Sequence, residues 1–212
     1  VPEKLTKIEE SKGLTLENPR VRNRLATEGK RRLKKMKPSP VTSDESLHRI
    51  TTGNMEDDME KLHGADWIIE AVTENLDVKK RVLTAIDHYR KKEAIVSTNT
   101  SGISIHQMVE DCSDCFKKHF IGTHFFNPPR YLKLVEIIPS AFTDENVVSF
   151  MRKFIEDVLG KGVVLAKDTP NFIANRIGTY GLLITVKEML SKGFSIGEVD
   201  SITGPIIGRP KS

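Results

Sequence analysis

Apolar residues along the chain alternate between short continuous runs and stretches in which they recur every three or four positions. DWIIEAV at 66–72 and AIVST at 94–98 are runs of the first kind, bounded by polar turns, as expected of strands buried on both faces. Between them Val78, Val82, Ala85, Ile86 and Tyr89 recur at helical spacing and predict an amphipathic helix. Upstream, residues 2–12 and 19–36 are rich in Lys, Glu, Arg and Leu and poor in β-branched residues, which predicts two helices. KPSP at 37–40 ends that region, and a short strand at 50–52 and a helix at 56–62 are expected to follow. Strands alternating with amphipathic helices imply an α/β fold with a parallel sheet covered by helices.

After Thr98 the rhythm changes. A short helix at 104–109 precedes two apolar strands, 119–126 and 132–138, which flank NPPRY; a helix at 145–159 and the strand GVVLA at 162–166 follow. DTPN at 168–171 marks a new start, with Thr169 as a helix N-cap and Pro170 in the first helical position. From 172 to 190 the pattern predicts one long helix with Ile173, Ile177, Tyr180 and Ile184 on one stripe, and FSIGEVD opens another. These changes place a domain boundary near Lys167, with an α/β unit over 1–167 and an all-helical unit over 168–212. The G-x-G-x-x-G turn that opens a doubly wound dinucleotide-binding domain does not occur in the sequence. Either that first unit never existed, or the chain is expected to be a fragment cut at both ends, a dinucleotide-binding domain without its start followed by the beginning of a helical one.

The 212 residues are 38% hydrophobic and 29% charged, a balance that suits one soluble domain or one domain plus part of another. No run approaches the ~18 apolar residues of a membrane span, and VPEKLTKIEE is not a signal peptide. Two cysteines, Cys112 and Cys115, are too few for a disulfide scaffold, so a reducing cytoplasm is the expected compartment. The net charge of +4 owes much to KRRLKKMK at 30–37. A solvated helix face is its plain reading and an anion site the next; nucleic acid comes last, because no aromatic residues accompany the run for base stacking.

The candidate chemistry lies in GTHFFNPPRYLKLVEII, residues 122–138, where two apolar strands each carry one ionisable residue, His124 and Glu136. A regular hairpin centred near Pro129–Arg130 sets the two directly opposite, with Cβ atoms roughly 4.5–5.5 Å apart. A carboxylate on one imidazole nitrogen fixes the tautomer and steadies the imidazolium formed at the other. Two readings stay open: a base with its orienting partner, or a buried pair that fastens two strands. STNTSG at 97–102 begins where a strand ends, so Asn99, Thr100 and Ser101 are expected at the carboxyl edge of the sheet, where open α/β sheets bind ligands; an ordinary polar turn is the alternative. Glu74 falls in the turn after the 66–72 strand and Lys79 one turn into the next helix, while Asn175 lies near the start of the long helix, where capping or packing would also account for it. Cys112 and Cys115 with His119 and His124 imitate a zinc half-site, but the two histidines are five positions apart and point to opposite faces of one strand. No metal site is expected.

Taken in order, EAVTENLDVKK, STNTSGISI, GTHFFNP, KLVEII and KDTPNFIANR resemble the 3-hydroxyacyl-CoA dehydrogenase family, closest to its bacterial fatty-acid-oxidation type, from about Asp66 to Asp200. The resemblance implies a Rossmann domain that binds NAD, a helical domain that makes a homodimer, and oxidation of (3S)-3-hydroxyacyl-CoA to 3-oxoacyl-CoA. It also implies a parent that is such a dimer or part of a multifunctional fatty-acid-oxidation protein. On the matching positions it makes His124 the catalytic base and Glu136 its partner, with Ser101 and Asn175 around the substrate oxygen and the histidine. It sets Glu74, Lys79, Ser101 and Asn127 at the cofactor. The basic run at 30–37 is a candidate for CoA contact without a residue-by-residue match.

Overall fold

The computed structural model describes residues 1–208. Its first helices are short. Lys7–Ser11 (α1) is closed by a capping box between Thr6 and Glu9, which satisfies two otherwise orphaned amides. The expected helix at 19–36 breaks at Asn23 into Pro19–Arg22 (α2) and Arg24–Leu33 (α3), with Asn18 capping the first. The strand expected at 50–52 does not form, and the helix at 56–62 is a single stretch of tighter 3₁₀ winding at Met59–Gly64. Residues 50–58 instead fold on side-chain hydrogen bonds: Lys30 donates to the Ile50 carbonyl (2.6 Å) and the Asp58 carboxylate accepts from the Asn54 amide (2.8 Å).

From there the expected alternation holds. Trp67–Glu70 (β1), Leu76–Tyr89 (α4), Ile95–Thr98 (β2), Ile105–Met108 (α5), Asp114–Lys118 (α6), Phe120–Phe125 (β3), Leu134–Pro139 (β4), Glu145–Asp157 (α7) and Gly162–Leu165 (β5) follow in order. Helix α6 has no counterpart in the sequence reading. It is a single five-residue turn capped by Ser113, too short to show a period. The five strands lie side by side in chain order, parallel except for the antiparallel β3–β4 pair. This is a Rossmann-like, mostly parallel sheet.

Both faces are covered. Ile68, Val96, Phe120 and Ile138 meet Leu83 and Ile86 of α4, Ile105 and Met108 of α5 and Phe116 of α6. Ile95, Ile121, Val135 and Ile137 meet Val147, Met151 and Ile155 of α7 on the other side. Each side chain buried in this way contributes about 1.5–3 kcal/mol. Gly122 lets the layers close: a Cβ there would lie 3.0 Å from both the Ile105 side chain and the Ile138 Cβ.

The chain then departs from the expected cap at Thr169. Helix α8 runs Ala174–Lys192 with Ile173 at its N-cap position, and stops at Gly193, whose φ of 71° suits a residue without a Cβ. Asp168 is bound to another helix, and residues 169–173 form a turn ahead of α8 rather than its first winding. The stripe expected on α8 is present but uncovered, with Ile177 67% and Tyr180 68% exposed. Ile196–Thr203 (α9) follows with a Ser195–Glu198 capping box. Among the described residues no helix is long and apolar enough to cross a membrane.

Candidate active site

The hairpin brings His124 directly opposite Glu136, in the register expected from its turn. Nδ1 of His124 lies 2.7 Å from Oε2 of Glu136, and the residues are 4% and 0% exposed. A carboxylate accepts, so Nδ1 carries a proton, and in a neutral imidazole the lone pair is then on Nε2. Phe126 and Phe172 flank the ring, with centroids 4.5 and 5.7 Å away. The other oxygen of Glu136 accepts from the amides of Ile173 (3.0 Å) and Ala174 (2.8 Å). These are among the first amides of α8, which would otherwise lack partners and which favour negative charge. Glu136 is thus held from both sides, by an imidazole and by a helix start.

A second cluster occupies the carboxyl ends of β1 and β2. Glu70 ends β1 facing inward, where Lys79 Nζ reaches its two oxygens at 2.9 and 3.0 Å and the Thr98 hydroxyl donates to one of them. The Val72 amide adds a fourth bond at 2.6 Å. Lys79 has a second carboxylate, Glu74, at 3.4 Å. Glu74 itself accepts from the Thr100 hydroxyl and from the Ser101 amide (3.0 Å). Partial burial works to raise the Glu74 pKa, but these two donors and the Lys79 charge outweigh it and hold the carboxyl below the ordinary value of 4.5.

That direction fixes a pH dependence. A carboxylate with a depressed pKa stabilises the fold above its unfolded value and loses that contribution as pH falls through the folded one. The difference in unfolding stability between the wild type and Glu74→Gln should be constant above about pH 5.5 and shrink steadily below about pH 4.5. Urea unfolding at a series of pH values measures it. A difference that stays flat into acid would mean that the Glu74 charge makes no contribution.

The two clusters share one edge of the sheet. Asn99, one residue beyond β2, accepts from the Phe125 amide at 2.9 Å and so ties the turn after β2 to the end of β3, next to His124. Ser101 is exposed and its hydroxyl makes no hydrogen bond among the described residues. Asn127 is exposed just beyond β3, and Asn175 is half-buried as the second residue of α8. Lys79 stands apart from the expectation: at 1% exposure its ammonium is taken up by carboxylates rather than presented to a crevice.

Three participants were invisible to sequence reasoning. Glu70 sits in an apolar run that gives no hint of its partner. The amides of Ile173 and Ala174 have no side-chain signal at all. Asp168 was the cue for a different structure: its carboxylate accepts from the Ser104 hydroxyl and the Ile105 and His106 amides, each at 2.9 Å. The cysteine–histidine spacing forms nothing comparable. Cys112 is buried, which pushes its thiol up to about 11, and His119 Nδ1 lies against the Cys115 carbonyl at 2.9 Å. Among the described residues no group of three His, Cys, Asp or Glu side chains is placed to hold a metal ion.

A dinucleotide makes two separate demands on such an edge. Its nicotinamide end needs polar groups, and Glu74, with 46% of its side chain exposed, and the free Ser101 hydroxyl are groups of that kind at the carboxyl edge. Its pyrophosphate needs a glycine-rich turn at a helix start, and this sequence contains no such turn. The polar groups present are of the kind the nicotinamide end needs.

A mostly parallel sheet with both faces covered, carrying a buried histidine–carboxylate pair at its polar carboxyl edge, defines a Rossmann-like α/β domain. Residues 11–169 match the profile of the 3-hydroxyacyl-CoA dehydrogenase NAD binding domain, and the chain belongs to the 3-hydroxyacyl-CoA dehydrogenase family. A probable 3-hydroxyacyl-CoA dehydrogenase of Bacillus subtilis is 63% identical over 212 residues, all of this chain and 27% of that protein. One of Deinococcus radiodurans is 45% identical over 191 residues, 90% of this chain and 55% of that protein. The crystal structure of (S)-3-hydroxybutyryl-CoA dehydrogenase from Ralstonia eutropha superposes with a TM-score of 0.70 at 28% identity, covering 88% of this chain and 64% of the other. The chain thus spans between about a quarter and about half of the first two relatives.

Proposed function

We propose that the protein to which this chain belongs oxidises (3S)-3-hydroxyacyl-CoA to 3-oxoacyl-CoA in fatty-acid β-oxidation, with NAD as the oxidant. The observation that carries the reading is the clamped pair: His124 held by Glu136 at 2.7 Å, with Glu136 held in turn by two amides of α8. Nε2 of His124 takes the hydroxyl proton of the substrate, and Glu136 steadies the imidazolium that results. In the reverse direction the same nitrogen returns the proton to the carbonyl oxygen. Ser101 offers its unengaged hydroxyl to that oxygen, and Asn175 helps to hold the substrate oxygen and the surroundings of the histidine. Glu74, Ser101 and Asn127 line the nicotinamide end of the cofactor, and Lys79 serves there from beneath, by fixing Glu74. NAD, when bound, accepts the hydride.

Residues up to about 167 form the cofactor domain in this reading, and residues from 168 begin a helical domain. The exposed apolar stripe of α8 supports that division, because nothing among the described residues covers it. A homodimer, or a place in a larger fatty-acid-oxidation protein, would supply the cover.

The test is an absorbance assay on the full-length protein with acetoacetyl-CoA and NADH. Oxidation of NADH that requires the CoA thioester is the expected result. Reduction of free β-keto acids with none of the thioester would assign the fold to another dehydrogenase class, and binding without turnover would make it an acyl-CoA or nucleotide carrier.

A further inference from the structure

The turn between β5 and α8 has a constraint that capping alone does not explain. Asn171 and Phe172 are consecutive non-glycine residues with φ of 62° and 45°. Backbone of this kind persists only where its surroundings enforce it. The enforcement comes from both ends. At the upstream end Asp168 makes three hydrogen bonds at 2.9 Å to Ser104, Ile105 and His106. They tie it to α5, which is itself rooted in the core through Ile105 and Met108, 0% and 1% exposed. At the downstream end Phe172 is buried with its ring against His124, and the next two amides bind Glu136. No side chain of α8 is buried, so among the described residues its start is located chiefly by this turn.

We infer that Asp168 is a positioning residue for the His124–Glu136 pair: by pinning the turn to α5 it sets where the first amides of α8 meet Glu136, and so how Glu136 meets the imidazole. The inference rests on the reading of His124 as the base. It makes the junction between the sheet and α8 part of the active site's support, so that a displacement of α8 is felt at the histidine.

The test compares Asp168→Asn with wild type in the full-length protein. An amide keeps the shape but turns one acceptor into a donor, facing two backbone amides that only donate and one serine hydroxyl. Turnover should fall by roughly 10- to 100-fold, the loss expected when a catalytic group is misplaced by a fraction of an ångström to an ångström, while the KM for cofactor stays within about twofold. The proton NMR signal of His124 Nδ1–H should weaken or exchange faster as its bond to Glu136 loosens. Ser104→Ala removes one of the three bonds and should move both readouts less, in the same direction. A folded Asp168→Asn protein with unchanged turnover and an unchanged histidine signal overturns the inference. If that variant does not fold, Ser104→Ala leaving both readouts unmoved overturns it instead. His124→Gln with normal turnover would be a different failure, that of the base itself.

Discussion

Replacing His124 by glutamine in the full-length protein lowers turnover by roughly 10²- to 10⁴-fold, the usual contribution of a positioned general base. Glutamine is close in size and its amide can still donate to Glu136, so the pair's hydrogen bond and the packing of Phe126 and Phe172 are largely kept. What disappears is a nitrogen able to take a proton at neutral pH. Substrate and cofactor KM should change much less than turnover, because the lost interaction belongs to the transition state. Steady-state kinetics in both directions check this, and turnover within about threefold of wild type would remove His124 from the mechanism.

Substituting Lys79 by methionine destabilises the fold by about 3–5 kcal/mol, the cost of leaving a buried charge without its partner. Methionine fills the space of the lysine stem, so the loss is electrostatic rather than a cavity. The Glu70 side chain is 0% exposed and would keep only the Thr98 hydroxyl and the Val72 amide. Against a typical total of about 5–15 kcal/mol this is a large fraction. Restoring charge balance with Glu70→Gln alongside Lys79→Met should recover much of it, since a neutral pair leaves no orphaned ion. Urea unfolding of the two variants measures both effects. A single-variant loss below about 1 kcal/mol would be that of an exposed ion pair and would mean that water reaches Glu70.

The parts of this fold that the sequence made legible are those whose period repeats. Buried strands such as Ile95–Thr98 and the amphipathic helix Leu76–Tyr89 carry several independent positions that agree. The His124–Glu136 pairing was legible for a related reason: the side-chain period of a hairpin is 2, so the turn centre fixes every partner. Single residues were harder. Asp168 and Thr169 look like a helix start, yet the carboxylate caps α5, more than sixty residues earlier in the chain. A cap's donor groups need not be neighbours in sequence, and local pattern cannot rank a distant partner above a near one. The 50–52 strand failed: Ile50 is its one apolar residue, and among the described residues no strand pairs with it. Lys79 shows the limit of motif matching. The resemblance sets it at the cofactor, while its burial against Glu70 is a fact of packing.

The claim at the centre of this account is that His124 and Glu136 act as one unit, and a double-mutant cycle on turnover tests it most directly. His124→Gln, Glu136→Gln and the double variant are compared with the wild-type full-length protein. If Glu136 works only through the imidazole, its removal matters little once the base is gone, and the double variant should turn over within about threefold of His124→Gln alone. Losses that multiply, so that the double variant is slower than His124→Gln by the full factor of Glu136→Gln, would mean that Glu136 acts independently and that the pair is not the catalytic unit.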